Sequence, residues 1–150
     1  MAILQSTFVE DIPNGYPGMD ADGELSNILS LTLEGSTACS FGRPVYKGVA
    51  DRGCSLTVGA NLRGFALARK ASYAVTPTRA EDTFIPGDTI PVKNRGKIWV
   101  TSSVAVAKDD QVYVTSAGVI TNVLTSNTIA TGWFFDDTIT AAGVVRIVRR

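Results

Sequence analysis

The 150-residue chain contains no histidine. That removes imidazole-ligated metal centres, Ser-His-Asp triads and Cys-His nucleophiles in one step, because each needs a ring nitrogen as ligand or general base. Thiols are nearly absent too: Cys39 and Cys54 are the only ones, fifteen positions apart. Two cysteines do not make a structural zinc site, and this spacing fits no CxxC pattern. They can pair, but two semi-buried thiols are the expectation. An excess of either charge is also missing, since 14 Lys and Arg face 14 Asp and Glu. A neutral chain lacks the positive field with which nucleic-acid binders neutralise phosphates, so no nucleic-acid partner is expected. No apolar run approaches the ~18 residues that cross a bilayer, so no membrane partner is expected either. The opening "MAILQSTFVEDIP" has no basic start and no long apolar stretch, which argues against a secretory leader and for synthesis in a cytoplasm.

What is present suits a single β domain with a leading arm. A composition of 45% hydrophobic and 19% charged residues is ordinary for a folded chain, and one of this length buries roughly 70% of its unfolded surface. Residues 1–24 read as an extended N-terminal arm. Its apolar residues are scattered, and "IPNGYPGMDADGE" is dense in turn formers. Ile3, Leu4, Phe8, Ile12, Tyr16 and Met19 are the arm's candidate contacts with a partner or a neighbouring subunit.

Residues 25–150 read as the β domain. "SLTLE" (30–34) alternates with period two, and "RPVYKGVA", "SLTVGAN" and "RGFALA" follow between Gly and Pro. "NLRGFALARKAS" also fits a helical face through Leu62, Phe65 and Ala66, but Gly59 and Gly64 weigh against it. Then come "TIPVKN", "KIWVTS", "VAVA", "QVYVTS", "GVITNV", "TIATGWFF" and "GVVRIVR", short strands at the spacing of an all-β sandwich or barrel. The fold expected is an all-β, small β-barrel or jelly-roll-like domain with very little helix.

Two segments repeat each other. "GDTIPVKNRG" (87–96) and "DDQVYVTSAG" (109–118) superpose at constant offset, with Asp88 on Asp110, Ile90 on Val112, Val92 on Val114 and Gly96 on Gly118. Each unit is a turn acid, two apolar residues on one strand face, and a Gly turn. Two copies are too few for a solenoid and suit successive hairpins of one barrel. The repeat also interprets the adjacent acids Asp109 and Asp110, because a short Asp side chain stabilises a turn by bonding nearby backbone N–H groups.

The other candidate chemistry is thin. Asp109/Asp110, Asp136/Asp137 and Glu81/Asp82 are adjacent, so in a strand they point to opposite faces rather than into one cleft, and solvated turns are expected. An enzyme would need acids converging from afar, such as Asp51, Asp88 and Asp137. "MDADGELSNIL" starts like a calcium loop, but Gly falls at position 4 from Asp20 and position 12 is Leu31. No Gly-rich run forms a phosphate cradle, so no cofactor is expected. Arg146, Arg149 and Arg150 suit a solvated edge strand or intersubunit ion pairs. Trp99 and Trp133 suit packing, with sugar stacking as the other use of an exposed indole.

Whole segments carry more than any site. In order they are "LQSTF", "GMDAD", "FGRPVYKGVADRGCSL", "RGFALA", "FIPGDTIPVKNRGKIWVTSSVAVAKDDQVYV" and "AAGVVRIVRR". This pattern resembles the capsid decoration, or structural cement, proteins of tailed bacteriophages, over nearly the whole chain. Its most specific parts are "GMDAD", Phe41-Gly42 followed by Val45 and Gly48, and "GKIWVTSSVAVAKDDQVYV". Similar proteins usually carry Gly-Asp where this chain has Asp109-Asp110, which leaves the turn intact. The resemblance implies a virion protein without catalytic residues, made in the host bacterial cytoplasm. It would lie on the outer capsid surface as a dimer or trimer, bridging neighbouring major capsid protein subunits. A carbohydrate-binding or host-adhesion β domain using Trp99 or Trp133 is the alternative.

Overall fold

The computed structural model describes residues 15–68 and 82–150. Among them there is no helix. The eleven strands are β1 (Asn27–Leu33), β2 (Cys39–Ser40), β3 (Pro44–Lys47), β4 (Gly53–Ser55), β5 (Leu62–Ala66), β6 (Thr83–Phe84), β7 (Thr89–Ser102), β8 (Gln111–Val114), β9 (Ile120–Thr121), β10 (Thr128–Phe135) and β11 (Gly143–Arg149). The all-β expectation holds, and its barrel form is the one found.

One long strand organises everything. The first half of β7 pairs with β1 and β5, closing a five-stranded ring in the order β1-β4-β3-β5-β7. Its second half pairs with β11 and, at Ser102, with β9, closing the ring β7-β11-β10-β8-β9. Even-numbered residues of β7 face the cores: Ile90 and Val92 in the first ring, Ile98 and Val100 in the second, all with no exposed surface. Strand β5 forms a shared wall. Ala66 packs into the first core with Leu33, Val45 and Cys54, while Phe65 turns into the second and meets Trp133 edge-on, centroids 4.9 Å apart.

The internal repeat is visible as chemistry. Asp88 Oδ2 accepts the Ile85 N–H at 3.0 Å, and Asp110 Oδ2 accepts the Ala107 N–H at the same distance. Gly87 and Asp109, the residues before them, both adopt positive φ, 90° and 70°. Val112 and Val114 are as buried as Ile90 and Val92. The two units do not form successive hairpins of one barrel, however. One begins in the first ring and the other lies in the second, because β7 runs through both.

Several strand expectations are corrected for related reasons. "TIPVKN" and "KIWVTS" are one strand, since Gly96 (φ +106°) absorbs the irregularity without ending it. "VAVA" contributes only the bridge of Val106 to Ile139. "SLTVGAN" leaves the sheet after Ser55. β11 is not an edge strand, as ring closure places it between β7 and β10.

Candidate functional site: the segment 15–24 and the grooves beside it

The described part of the expected arm is fixed to the body. Residues 18–21 run antiparallel to β7 and continue into β1 on the same edge. Gly18 N–H donates to Trp99 O at 2.7 Å, Trp99 N–H to Met19 O at 3.0 Å, and Ala21 N–H to Lys97 O at 3.3 Å. Gly18 O accepts from Ala68 N–H at 2.7 Å. Gly18 sits at φ +82°, and a Cβ there would lie 2.7 Å from Phe41 Cβ, so only glycine suits the place. A Cβ on Gly15 would lie 2.5–2.7 Å from three atoms of the Trp99 five-membered ring, so this backbone rests on the indole.

The acids that mimic a calcium loop face cations of the body instead. Asp20 pairs with Lys93, whose side chain is fully buried on the β7 face opposite the core. Lys97 Nζ reaches Asp22 at 3.2 Å, Glu24 at 3.2 Å and Asp136 at 3.4 Å, and Arg150 lies 3.9 Å from Glu24. The Asp22 and Glu24 contacts, ahead of the opposing burial, raise the Lys97 pKa. Burial pushes the Asp22 carboxyl up, but the Glu24 N–H and the Lys97 ammonium outweigh it and hold the group below its usual value.

The remaining acids are likewise occupied. Asp136 and Asp137, just past the end of β10, take different partners and are not a solvated turn. Asp136 is buried near Lys97, and Asp137 takes a bidentate contact from Arg146 at 2.5 and 2.6 Å that lowers its pKa. Asp88 caps its turn and Asp51 is exposed. Among the described residues no three His, Cys, Asp or Glu are grouped to hold a metal ion. The C-terminal arginines make contacts within the chain rather than lining an edge: Arg146 to Asp137, Arg149 to Asn94 O at 3.2 Å, Arg150 to Glu24. Glu81 lies outside the described residues, and Asp82 is exposed.

Of the arm's candidate contacts, Tyr16 (56%) and Met19 (38%) are exposed. Ile3, Leu4, Phe8 and Ile12 lie outside the described residues. Two grooves flank Tyr16. One, of about 640 Å³, lies between the turn at Phe41–Pro44 and the tip at Ala117–Ile120. The other, of about 870 Å³, is walled by Met19, Trp99, Ile139, Val144 and Arg146. Trp99 is therefore beside a groove, but Gly15 lies on its five-membered ring and the Arg146 guanidinium stands 5.6 Å from its centre. Trp133 is fully buried. Trp133 therefore offers no face to a sugar, and Trp99 is already partly covered by its own chain.

Sequence reasoning missed Lys93, whose only signal is a charge among apolar neighbours in "IPVKN". It also missed Glu34, whose carboxylate accepts the Val49 and Ala50 N–H groups at 2.7 and 2.9 Å and clamps the turn after β3. These bonds hold the Glu34 carboxyl below its usual range. Cys39 and Cys54 are free, buried thiols.

The class defined by these features is a rigid all-β double-ring body whose ionisable groups are largely spent on its own architecture. Residues 4–150 match the structural cement protein family (E217 gp24/Pam3 gp6), and the chain belongs to that family. Its role is accordingly structural and capsid-associated. Among solved structures it is similar to a chain of "The capsid of Myoviridae Phage XM1", with a TM-score of 0.70 at 17% identity, covering 99% of this chain and 97% of that one. No curated protein matches.

Proposed function

We propose that the protein binds the outer surface of a tailed-phage head and stabilises it by bridging neighbouring major capsid protein subunits, working as a homo-oligomer. The observation that carries this reading is the family match over residues 4–150. The body supports it physically. A double ring braced by ion pairs such as Lys93–Asp20, Lys97–Asp22 and Arg146–Asp137 can transmit load between contacts without rearranging. The arm, residues 1–24, supplies one contact through Ile3, Leu4, Phe8, Ile12, Tyr16 and Met19, and residues 25–150 form the β domain that carries it. An extended apolar segment suits strand addition, in which backbone bonds give affinity and alternate side chains give specificity.

Stabilisation follows from mass action. A protein that binds the assembled lattice and not its dissociated subunits favours the lattice, and an oligomer touching several subunits gains further from effective concentration. Synthesis in the host cytoplasm, where the heads assemble, fits free thiols. Adding purified protein to expanded, undecorated heads tests the reading. Saturable binding at fixed stoichiometry with a higher head-disruption temperature supports it; no binding refutes it.

A further inference from the structure

The first ring is closed by very little. β1 joins β4 through only two residue pairs, Thr32 with Gly53 and Leu33 with Cys54. Backbone groups of Leu33 bond toward the β7 side, at Asp88 and Gly87, whereas the Thr32 N–H donates the other way, to Arg52 O at 2.8 Å. By strand alternation Ile28 and Ser30 also present their N–H and C=O away from β7. Among the described residues no strand takes them, so residues 27–31 form a sheet edge that the described part of the chain leaves open. Two side-chain observations agree. Leu29 and Leu31 are only partly buried against the first core, and Leu25 (78%) and Ile28 (47%) are exposed beside the edge. Uncovered edges of this kind are templates for an added strand.

We infer that this edge accepts residues 3–9 of a second copy's N-terminal segment, so that copies associate by exchanging arms. The first fourteen residues lie outside the described structure and lead into Gly15, which rests on Trp99. Fully extended, fourteen residues reach roughly 46–50 Å, enough to leave one body and cover a five-residue edge on another. "LQSTFV" is rich in strand formers and places Leu4 and Phe8 on one face, a match for the exposed Ile28 and Leu25. Charge agrees as well. The segment carries Glu10 and Asp11 and no Lys or Arg, while exposed Arg95 and Arg52 stand at the two ends of the edge, paired in register or by hydrogen bond with Asn27 and Thr32. Among the described residues neither arginine has an ion-pair partner. This deepens the cementing proposal by assigning one acceptor of the arm. It is testable without any capsid, so loss of self-association leaves head binding standing, and the reverse.

The experiment uses the full chain. Ser30→Pro removes an outward N–H and leaves the β1–β7 bonds in place. By sedimentation it should weaken self-association about tenfold or more, as expected for lost backbone bonds and a blocked edge. Phe8→Asp, which puts a charge on the docking face of the arm, should do the same. The register is read by mixing Ser6→Cys with Ser30→Cys chains under mild oxidation, since strand alternation puts Ser6 on the face of Leu4 and Phe8 and Ser30 on that of Ile28, and the native thiols are buried. A mixed disulfide dimer is expected. A chain carrying both substitutions that crosslinks only within itself at every dilution would overturn the proposal, as would an unchanged assembly in Ser30→Pro and Phe8→Asp.

Discussion

Replacing Asp20 by alanine strands the charge of Lys93. The lysine side chain has no exposed surface, and the Asp20 carboxylate is its ion-pair partner. Its stem passes over Gly96, where even a Cβ would sit 2.8 Å from Lys93 Cε, so the ammonium has little room to swing toward water. Breaking a fully buried pair by removing one partner costs about 3–5 kcal/mol. Asp20 is itself 46% exposed, so water can approach the vacated place, and about 2–3 kcal/mol is the expected loss. For a chain of this size that lowers Tm by roughly 5–10 °C. The informative experiment is the cycle of Asp20→Ala, Lys93→Met and the double variant, followed by urea unfolding at pH 7. Because an apolar pair of similar volume replaces a buried ion pair at little cost, the double variant should recover to within about 1 kcal/mol of the parent. A single variant that loses under about 0.5 kcal/mol, or a double variant as unstable as Asp20→Ala, would refute the assignment of Asp20 as the counter-charge.

Three further outcomes follow from the same geometry. Asp109→Gly should raise stability by about 0.5 kcal/mol in urea unfolding, because Asp109 holds φ 70° where its repeat partner is Gly87; the relief is partly offset by glycine's freer unfolded chain, and a loss would contradict it. Asp22, Glu34 and Asp137 all have pKa values lowered in the fold from 3.8, 4.5 and 3.8. Their contribution is therefore complete above those values and lost as pH falls through the folded ones, so Tm should be flat from neutral pH to about 5 and drop below about 4.5, less steeply in Glu34→Gln. Burial pushes the Cys39 and Cys54 thiols up to about 12 and about 11, so at pH 8 a thiol reagent should label neither in the native protein and both after unfolding; rapid native labelling would show that the first core is open.

Much of this architecture is legible in the residues, and the rest is hidden for physical reasons. β10 and β11 coincide with "TIATGWFF" and "GVVRIVR", where β-branched and aromatic residues run between turn formers. The repeat located the caps at Asp88 and Asp110 because a capping aspartate bonds within three residues of itself, a local event that local sequence encodes. Ring closure is not local. Nothing near Gly96 says that β7 passes through both rings, and nothing near Arg146 says that β11 is central. The ion pairs were illegible for the same reason: Asp20 and Lys93 are 73 positions apart. "GMDAD" was visible as a motif, but its meaning, a segment pinned along β7, depends on partners elsewhere in the chain.

The account rests most on adhesion to an assembled head. Mixing the full-length protein with expanded, undecorated heads and reading both bound copies per head and disruption temperature tests this directly. Saturation at a fixed number per lattice unit together with a higher disruption temperature is the result predicted. Protein that stays in solution, or binds without raising that temperature, would contradict it.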